Sequence, residues 1–393
     1  MENFEFCNPT KIIFGKGEVE RAGQIAAGLG SRVLLVTGSK SAKKSGLLDR
    51  VIENLETAGL EVWLLEGVVP NPRLSKVHEG IELCRKNGVE LVCALGGGSV
   101  MDTAKAIAAG VRLDVDIWEV FQAKAEITEA LPIMTIPTLA ASGSEMNGFM
   151  VITNEVSGHK LAAGSPHVYP KVSILDPELT FSVPRNHTAY GGVDAVCHLM
   201  EPYFNGPSPH TPVQDGLAES LMKTIMEATR GCLDTPDDYD SRADMMWAAT
   251  LALNGLTRAG VGDHPFPVHL VEHAISAIFD VAHGAGLAAL LPGWMAWRIG
   301  LGKGAKIAQF GRNVMGIAPS GEIEKEAREA AKAFAVWLRQ IGAPANLAEL
   351  GIKPEEHEKI AENALFQAGI WGITDLYSRQ AMIELLSFCQ SGL

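Results

Sequence analysis

The chain has 393 residues, 47% hydrophobic and 20% charged, which is the composition of a globular protein long enough for two domains. Its net charge of −13, without a cluster of lysine and arginine, argues against nucleic acid and anionic membranes as partners. The most apolar late stretch, residues 285–297, is too short to span a bilayer, and the first residues lack a signal-peptide pattern. Six cysteines without a Cys-x-x-Cys pair fit a reducing cytoplasm, so we expect a cytoplasmic protein.

Strand and helix signals alternate along the first 180 residues. Short apolar runs that end at or near glycine or proline predict buried parallel strands, at residues 32–37, 62–65, 90–95 and 131–136. Apolar residues at helical spacing predict the intervening helices, at residues 45–58, 74–86 and 99–110. This alternation is typical of a doubly wound parallel α/β sheet.

The character of the chain changes at Asp176-Pro177. Beyond residue 186 strand-like runs are almost absent, and one helical pattern follows another. The clearest predicted helices are residues 191–203, 214–230, 242–254, 268–279 and 323–341. We therefore predict an α/β domain over residues 1–183 and an all-helical domain over residues 184–393.

A run of glycines follows the third predicted strand and opens the next helix. Gly96, Gly97 and Gly98 carry no Cβ atoms, so their backbone N–H groups can approach a pyrophosphate, and the helix N-terminus adds partial positive charge. We expect Ser99 to cap this helix and Asp102 to complement its first turn. Because the run is not the Gly-x-Gly-x-x-Gly fingerprint, a βα turn without a ligand is the alternative.

A second loop, residues 138–147, is rich in small hydroxyl residues and follows the fourth predicted strand. It lies at the carboxyl edge of the sheet, where ligands of such folds bind. An ordinary polar loop has a similar composition and is the alternative here.

The helical half contains spaced groups of potential metal ligands. Asp194 and His198 are four residues apart, which places both on one face of a helix, and His269 and His273 share that spacing. His283 follows in a His-Gly segment. Three imidazoles and one carboxylate suit a divalent ion such as Fe²⁺ or Zn²⁺. Structural histidines are the alternative, since spacing alone does not diagnose ligands that are distant in sequence.

Several motifs follow one another in the order found in one known family. They are residues 8–15 (Asn-Pro-Thr-Lys-Ile-Ile-Phe-Gly), 96–105 (Gly-Gly-Gly-Ser-Val-Met-Asp-Thr-Ala-Lys), 142–147 (Ser-Gly-Ser-Glu-Met-Asn) and 175–180 (Leu-Asp-Pro-Glu-Leu-Thr), followed by the ligand segments. Over essentially its whole length the chain resembles the iron-containing, or group III, alcohol dehydrogenases. The resemblance is greatest to their butanol dehydrogenase and broad-range aldehyde reductase branch.

This resemblance implies an N-terminal nucleotide-binding domain, an all-helical C-terminal domain and an active site in the cleft between them. It implies Asp194, His198, His269 and His283 as the ligands of one divalent metal, and it places His273 beside that metal. The positions that match the nucleotide site are Gly97, Gly98, Ser99, Thr138, Ser142 and Lys160. A homodimer is also expected from the family.

The implied activity is the interconversion of short-chain primary alcohols and aldehydes with NAD(P)(H) by direct hydride transfer. The metal would act as a Lewis acid on the substrate oxygen, and we predict His273 as the catalytic residue of a proton relay. A polyol dehydrogenase of the glycerol or propanediol type and a lyase resembling dehydroquinate synthase are the alternatives. The non-enzymatic alternative, an inactive binding module, is disfavoured because all four ligands and the glycine loop are present.

We predict a preference for NADP(H) over NAD(H). The first predicted strand ends at Gly38, where several NAD-using relatives have Asp, so no carboxylate repels a 2′-phosphate there. Ser39 can donate a hydrogen bond to such a phosphate, and Lys40, Lys43 and Lys44 add positive charge. The alternative is that these lysines belong to a solvated helix start and that both cofactors are used.

Overall fold

The structure is a computed structural model and describes residues 1–208 and 210–391. It divides into two compact units, which we call the α/β unit (Cys7–Val183 and Asp237–Met246) and the helical unit (Met1–Phe6, Pro184–Pro236 and Trp247–Leu393). The first long segment of the α/β unit ends at Val183, and the helical unit continues from Pro184. The division differs from the predicted one at residues 1–6 and 237–246, each of which groups with the other unit.

Six parallel strands form the main sheet of the α/β unit, in the order β1-β8-β5-β4-β2-β3. Their bounds are Lys11–Phe14 (β1), Arg32–Gly38 (β2), Glu61–Val68 (β3), Leu91–Gly96 (β4), Ile133–Pro137 (β5) and Val172–Leu175 (β8). An antiparallel pair, Phe149–Asn154 (β6) and His159–Gly164 (β7), forms a second sheet. The parallel sheet confirms the predicted fold class.

The four predicted strands correspond to β2, β3, β4 and β5, so the strand predicted as the first is in fact the second along the chain. Apolar runs do not predict β1 or β8 because both are only four residues long, and β1 lies at an edge with exposed residues at both ends. In contrast, every residue of β4 and β5 is buried, which explains their clear apolar signal.

Helices accompany this sheet at Ala22–Ala26 (α1), Ser41–Lys44 (α2), Leu47–Thr57 (α3), Leu74–Asn87 (α4), Gly98–Gly110 (α5) and Trp118–Phe121 (α6). The predicted single helix over residues 45–58 is wrong at its start, because Gly46 has a φ of 75°, in the left-handed region, and separates α2 from α3. Short 3₁₀ helices occur at Glu18–Arg21, Ser144–Met146, Pro166–Val168, Pro177–Thr180, Leu256–Arg258, Ala348–Leu350 and Pro354–Glu356.

The second half of the chain is helical, and no strand follows β8 among the described residues. Its helices are Arg185–Asn205 (α7), Pro212–Asp234 (α8), Tyr239–Ala252 (α9), Pro267–Phe279 (α10), His283–Gly300 (α11), Ala305–Asn313 (α12), Ile323–Gln340 (α13), His357–Ile370 (α14) and Arg379–Cys389 (α15). Each of the five predicted helices corresponds to one of these. None of the described helices combines the length and apolar character that crossing a bilayer requires.

Gly284 allows α11 to pack closely against α7. A Cβ atom on Gly284, in the first turn of α11, would lie 2.3 Å from the carbonyl oxygen of Tyr190 in α7. Real Cβ atoms do not approach a backbone oxygen that closely, so glycine is required where the start of α11 meets α7. This contact places the first residue of α11, His283, beside the middle of α7.

Candidate metal centre and nucleotide loops

The four predicted metal ligands come together in the helical unit. Asp194 and His198 lie one turn apart on α7, His269 lies in the first turn of α10, and His283 begins α11. The Nε2 atoms of His198, His269 and His283 lie 3.5, 3.6 and 3.5 Å from Asp194 Oδ1. Ligand atoms around a tetrahedral ion with bonds of about 2.1 Å lie about 3.4 Å apart, so these separations suit a single ion.

The polar atoms of this cluster suit a cation. Asp194 Oδ1 and His269 Nε2 are buried and have no hydrogen-bond partner. Burial alone would raise the pKa of Asp194, but the neighbouring imidazoles, His198 first, hold that pKa well below its usual range. Burial lowers the pKa of His198 to about 3, so this imidazole is neutral and can offer a lone pair. An ionised carboxylate and neutral imidazoles are the forms that bind a divalent metal.

Two buried glutamates, which no sequence motif revealed, accept hydrogen bonds from the Nδ1 atoms of two of the candidate ligand histidines. Glu201 Oε2 accepts a hydrogen bond from Nδ1 of His269, and Glu272 Oε2 accepts one from Nδ1 of His283. Burial opposes the charged form of His269, but the Glu201 carboxylate holds the pKa of His269 well above its usual range. Glu201 follows Asp194 by seven residues on the largely buried α7, and this spacing is the signal that could have found it.

His273 lies next to the four ligands without facing Asp194. Its ring centroid lies 6.3 Å from that of His269 and 5.8 Å from that of His283. Its Nδ1 atom lies 3.1 Å from Oε1 of Gln367 on α14, so Nδ1 donates to this amide oxygen. Both side chains are buried, which fixes the orientation of the imidazole.

The glycine loop of the α/β unit connects β4 to α5. Gly98 begins α5, and a Cβ atom at this position would lie 2.7 Å from Ser142 Oγ, so glycine is required for the second loop to approach. Strands β5, β4 and β2 are neighbours, so Thr138, which follows β5, and Gly38, which ends β2, share the carboxyl edge of the sheet. This edge is where parallel α/β sheets bind ligands.

The predicted capping arrangement is wrong. α5 begins at Gly98 after Gly97, without a side-chain cap, so Ser99 already lies inside the first turn. Asp102 does not reach back to that turn, because its carboxylate accepts hydrogen bonds from Ser144 Oγ at 2.8 Å and from Val151 N–H at 3.0 Å. Asp102 therefore connects α5 to the second loop, a tertiary contact that local spacing does not reveal.

Two further residues predicted to bind the nucleotide differ in exposure: Ser39 is exposed and Lys160 is buried. Ser39 follows β2 and is exposed beside the lysines of α2, one of which, Lys43, pairs with Glu66 at 3.4 Å. Lys160 is buried on β7, and its Nζ atom donates to Asn71 Oδ1 at 3.0 Å. The nucleotide-binding role of these residues stays a prediction.

The model of the iron-containing alcohol dehydrogenase family matches residues 9–177, and the model of the C-terminal domain of this family matches residues 188–389. The chain therefore belongs to the iron-containing alcohol dehydrogenase family, which confirms the resemblance seen in its motifs.

Relatives in other organisms match nearly the whole chain. NADH-dependent butanol dehydrogenase A of Clostridium acetobutylicum is 41% identical over 94% of this chain and 94% of its own. NADPH-dependent aldehyde reductase YqhD of Escherichia coli is 36% identical over 94% of this chain and 95% of its own. The crystal structure of NADH-dependent butanol dehydrogenase A from Thermotoga maritima matches with a TM-score of 0.94 and 40% identity, over 100% of this chain and 99% of its own.

We predict that His198→Ala and His269→Ala each abolish tight metal binding and turnover. Each change removes one of four converging donors, and the buried Asp194 carboxylate then lacks a complete set of partners for the ion. Elemental analysis of the purified variants, together with their rates, measures both effects.

His357→Ala is the matched control, because His357 is also a buried histidine of the helical unit but bonds to Gln390 instead of the cluster. It should keep its metal. A ligand variant with full metal occupancy and wild-type turnover would remove that histidine from the site.

Proposed function

We propose that this chain is a metal-dependent, NAD(P)(H)-linked alcohol dehydrogenase and aldehyde reductase that acts on short-chain primary alcohols and aldehydes by direct hydride transfer. The convergence of three imidazole Nε2 atoms on the buried Asp194 carboxylate carries this proposal. Family membership and the butanol dehydrogenase and aldehyde reductase relatives support it. They do not favour the polyol dehydrogenase or lyase alternatives.

Asp194, His198, His269 and His283 are the residues that would hold the metal, as Fe²⁺ or Zn²⁺, both of which accept this donor set. When bound there, a divalent ion supplies Lewis-acid polarisation of a substrate oxygen. The glycine loop and the start of α5 offer backbone N–H groups to the pyrophosphate of the nicotinamide cofactor. A cytoplasmic location and a homodimer are further parts of this proposal.

His273 is the residue that we assign to proton transfer. Because its Nδ1 donates to Gln367, Nε2 is the nitrogen that can exchange a proton with the substrate oxygen, directly or through water. The buried Gln367 amide fixes this tautomer and keeps the ring in one orientation. An imidazole nitrogen with a free lone pair can accept a proton and return it once protonated.

The function is tested by following nicotinamide absorbance with purified, metal-reconstituted protein. Butanal and other short-chain aldehydes are supplied with NADH or NADPH, and butanol with the oxidised cofactors. We expect aldehyde-dependent oxidation that disappears after chelation and returns with Fe²⁺ or Zn²⁺. Absence of turnover in both directions, with the metal bound and both nicotinamides tried, would contradict the proposal.

We predict that His273→Ala keeps the metal but lowers the rate about 10² to 10⁴-fold, the usual contribution of general acid–base catalysis. The change leaves all four converging donors in place. Metal content serves as the control, and the rate is measured between about pH 6 and 9, where a histidine titrates. Wild-type kcat for the variant throughout that range would exclude the proton-transfer role.

We also propose that NADP(H) is preferred over NAD(H). The residue after the buried part of β2 is Gly38, which brings no carboxylate to this end of the strand. Exposed Ser39 and the neighbouring Lys40 and Lys44 can bind a 2′-phosphate. Of the three relatives described above, two are named NADH-dependent and one NADPH-dependent, so the relatives do not support this preference, and it rests on the side chains near β2 alone.

We predict that Gly38→Asp shifts the preference towards NADH, because a carboxylate repels the 2′-phosphate, by roughly tenfold or more. A Cβ atom on Gly38 would lie 3.6 Å from Val68 O and 4.0 Å from Val100 Cγ2, which are ordinary contacts, so the new side chain fits. The measurement is kcat/KM for NADPH and NADH at a fixed aldehyde concentration. Gly38→Asn is the control of equal size without charge, and a wild-type preference for NADH of about tenfold would contradict the proposal.

A further inference from the structure

Two buried carboxylates lie behind the candidate metal ligands, and the proposed reaction does not use them. Glu201 on α7 and Glu272 on α10 each have 0% of their surface exposed. Burying a carboxylate costs several kcal/mol unless the charge is paired and hydrogen-bonded. Each of these glutamates accepts a hydrogen bond from one ligand histidine, which accounts for the burial of its charge.

Glu201 connects α7 to the beginning of α10. Its Oε1 accepts the backbone N–H of Val268 at 2.6 Å, and its Oε2 accepts Nδ1–H of His269. Val268 is the second residue of α10, where backbone N–H groups have no partner within the helix. A carboxylate at a helix N-terminus is favourable, so Glu201 caps α10 from another helix and orients the imidazole in the same turn.

Glu272 connects α10 to the beginning of α11. Its Oε2 accepts Nδ1–H of His283, and its Oε1 accepts the hydroxyl of Ser276, one turn further along α10. A Cβ atom on Gly286 would lie 2.8 Å from Glu272 Cγ and 2.9 Å from Oε1. Glycine at this position of α11 therefore leaves the space that the glutamate occupies beneath His283.

The hydrogen bonds to Glu201 and Glu272 determine which ring nitrogen of His269 and of His283 is available to a metal. A neutral histidine that donates from Nδ1 keeps its lone pair on Nε2. The Nε2 atoms of His269 and His283 lie 3.6 and 3.5 Å from Asp194 Oδ1, so both lone pairs point to the place where the four donors meet. The third ligand differs, because Nδ1 of His198 is buried without a hydrogen-bond partner.

We propose that Glu201 and Glu272 are positioning residues that hold His269 and His283 as Nδ1–H tautomers, with Nε2 directed at the metal, and thereby strengthen divalent metal binding. This inference rests on the metal site of the proposed function. Partners of this kind fix the orientation of a ligand imidazole and increase its basicity, and their loss typically weakens metal binding about 10–100-fold.

The test uses Glu201→Gln and Glu272→Gln in the full chain. Glutamine keeps the size of the side chain and an oxygen acceptor but removes the negative charge. Affinity for Zn²⁺ and, without oxygen, Fe²⁺ is measured by competition with a chelator. We expect each variant to bind about 10–100-fold more weakly than wild type.

The matched control is Glu326→Gln. Glu326 is also a buried carboxylate of the helical unit, but it accepts hydrogen bonds from Ser320, Gly321 and Arg312 and contacts none of the ligand histidines. This variant should lose stability and keep wild-type metal affinity. Circular dichroism and thermal unfolding of the metal-free proteins show whether each variant is folded.

A spectroscopic measurement on the wild type covers the case in which a glutamine variant does not fold. Nitrogen-15 NMR of histidine-labelled, Zn²⁺-loaded protein should show His269 and His283 with protonated Nδ1 and no proton on Nε2. In folded variants, Glu201→Gln should change the Nδ1–H signal of His269, and Glu272→Gln that of His283.

Folded variants that bind both metals within about twofold of wild type would overturn the proposal, since the expected loss is at least about tenfold. Protonated Nε2 atoms in the loaded wild type, or a wild type that binds neither metal, would overturn it as well. A wild type that binds metal tightly but reduces no aldehyde would instead contradict the proposed function and leave this inference standing.

Discussion

The buried negative charge of Asp194 is the constraint on which the helical unit depends. An isolated carboxylate in this position would cost several kcal/mol, and the chain meets that cost by directing three imidazoles at one of its oxygens. α7, α10 and α11 each supply at least one of these groups. The close packing of the three helices, including the glycine at position 284, follows from the need to bring those side chains together.

His269 lies between two carboxylates, Asp194 on its Nε2 side and Glu201 on its Nδ1 side. This position holds the pKa of His269 well above its usual range although burial opposes the charge. A divalent cation held at Nε2, as proposed, would compensate the charge of both carboxylates.

Local patterns predicted much of the fold and part of the site. Buried runs such as β4 and β5 have an unambiguous apolar signal, and the spacing of Asp194 and His198 gives their shared helix face directly. The partners of His269 and His283 were not predicted, because 68 and 11 residues separate each histidine from its glutamate. The four-residue strands β1 and β8 and the break at Gly46 were not predicted, because each is too short to show a periodic pattern.

The α/β unit also contains a buried charge, that of Lys105, which has 0% of its surface exposed. Burial lowers the pKa of Lys105 to about 8, and oxygen acceptors on Ser144, Asn147 and Phe149 offset the cost of the charge. These bonds fasten the loop of residues 142–149 to α5, so Ser142 lies directly against Gly98. Gly98 and the buried Lys105 therefore both serve to position the second loop against α5. Gly98 leaves room for the second loop at the start of α5, and Lys105 holds that loop against the same helix.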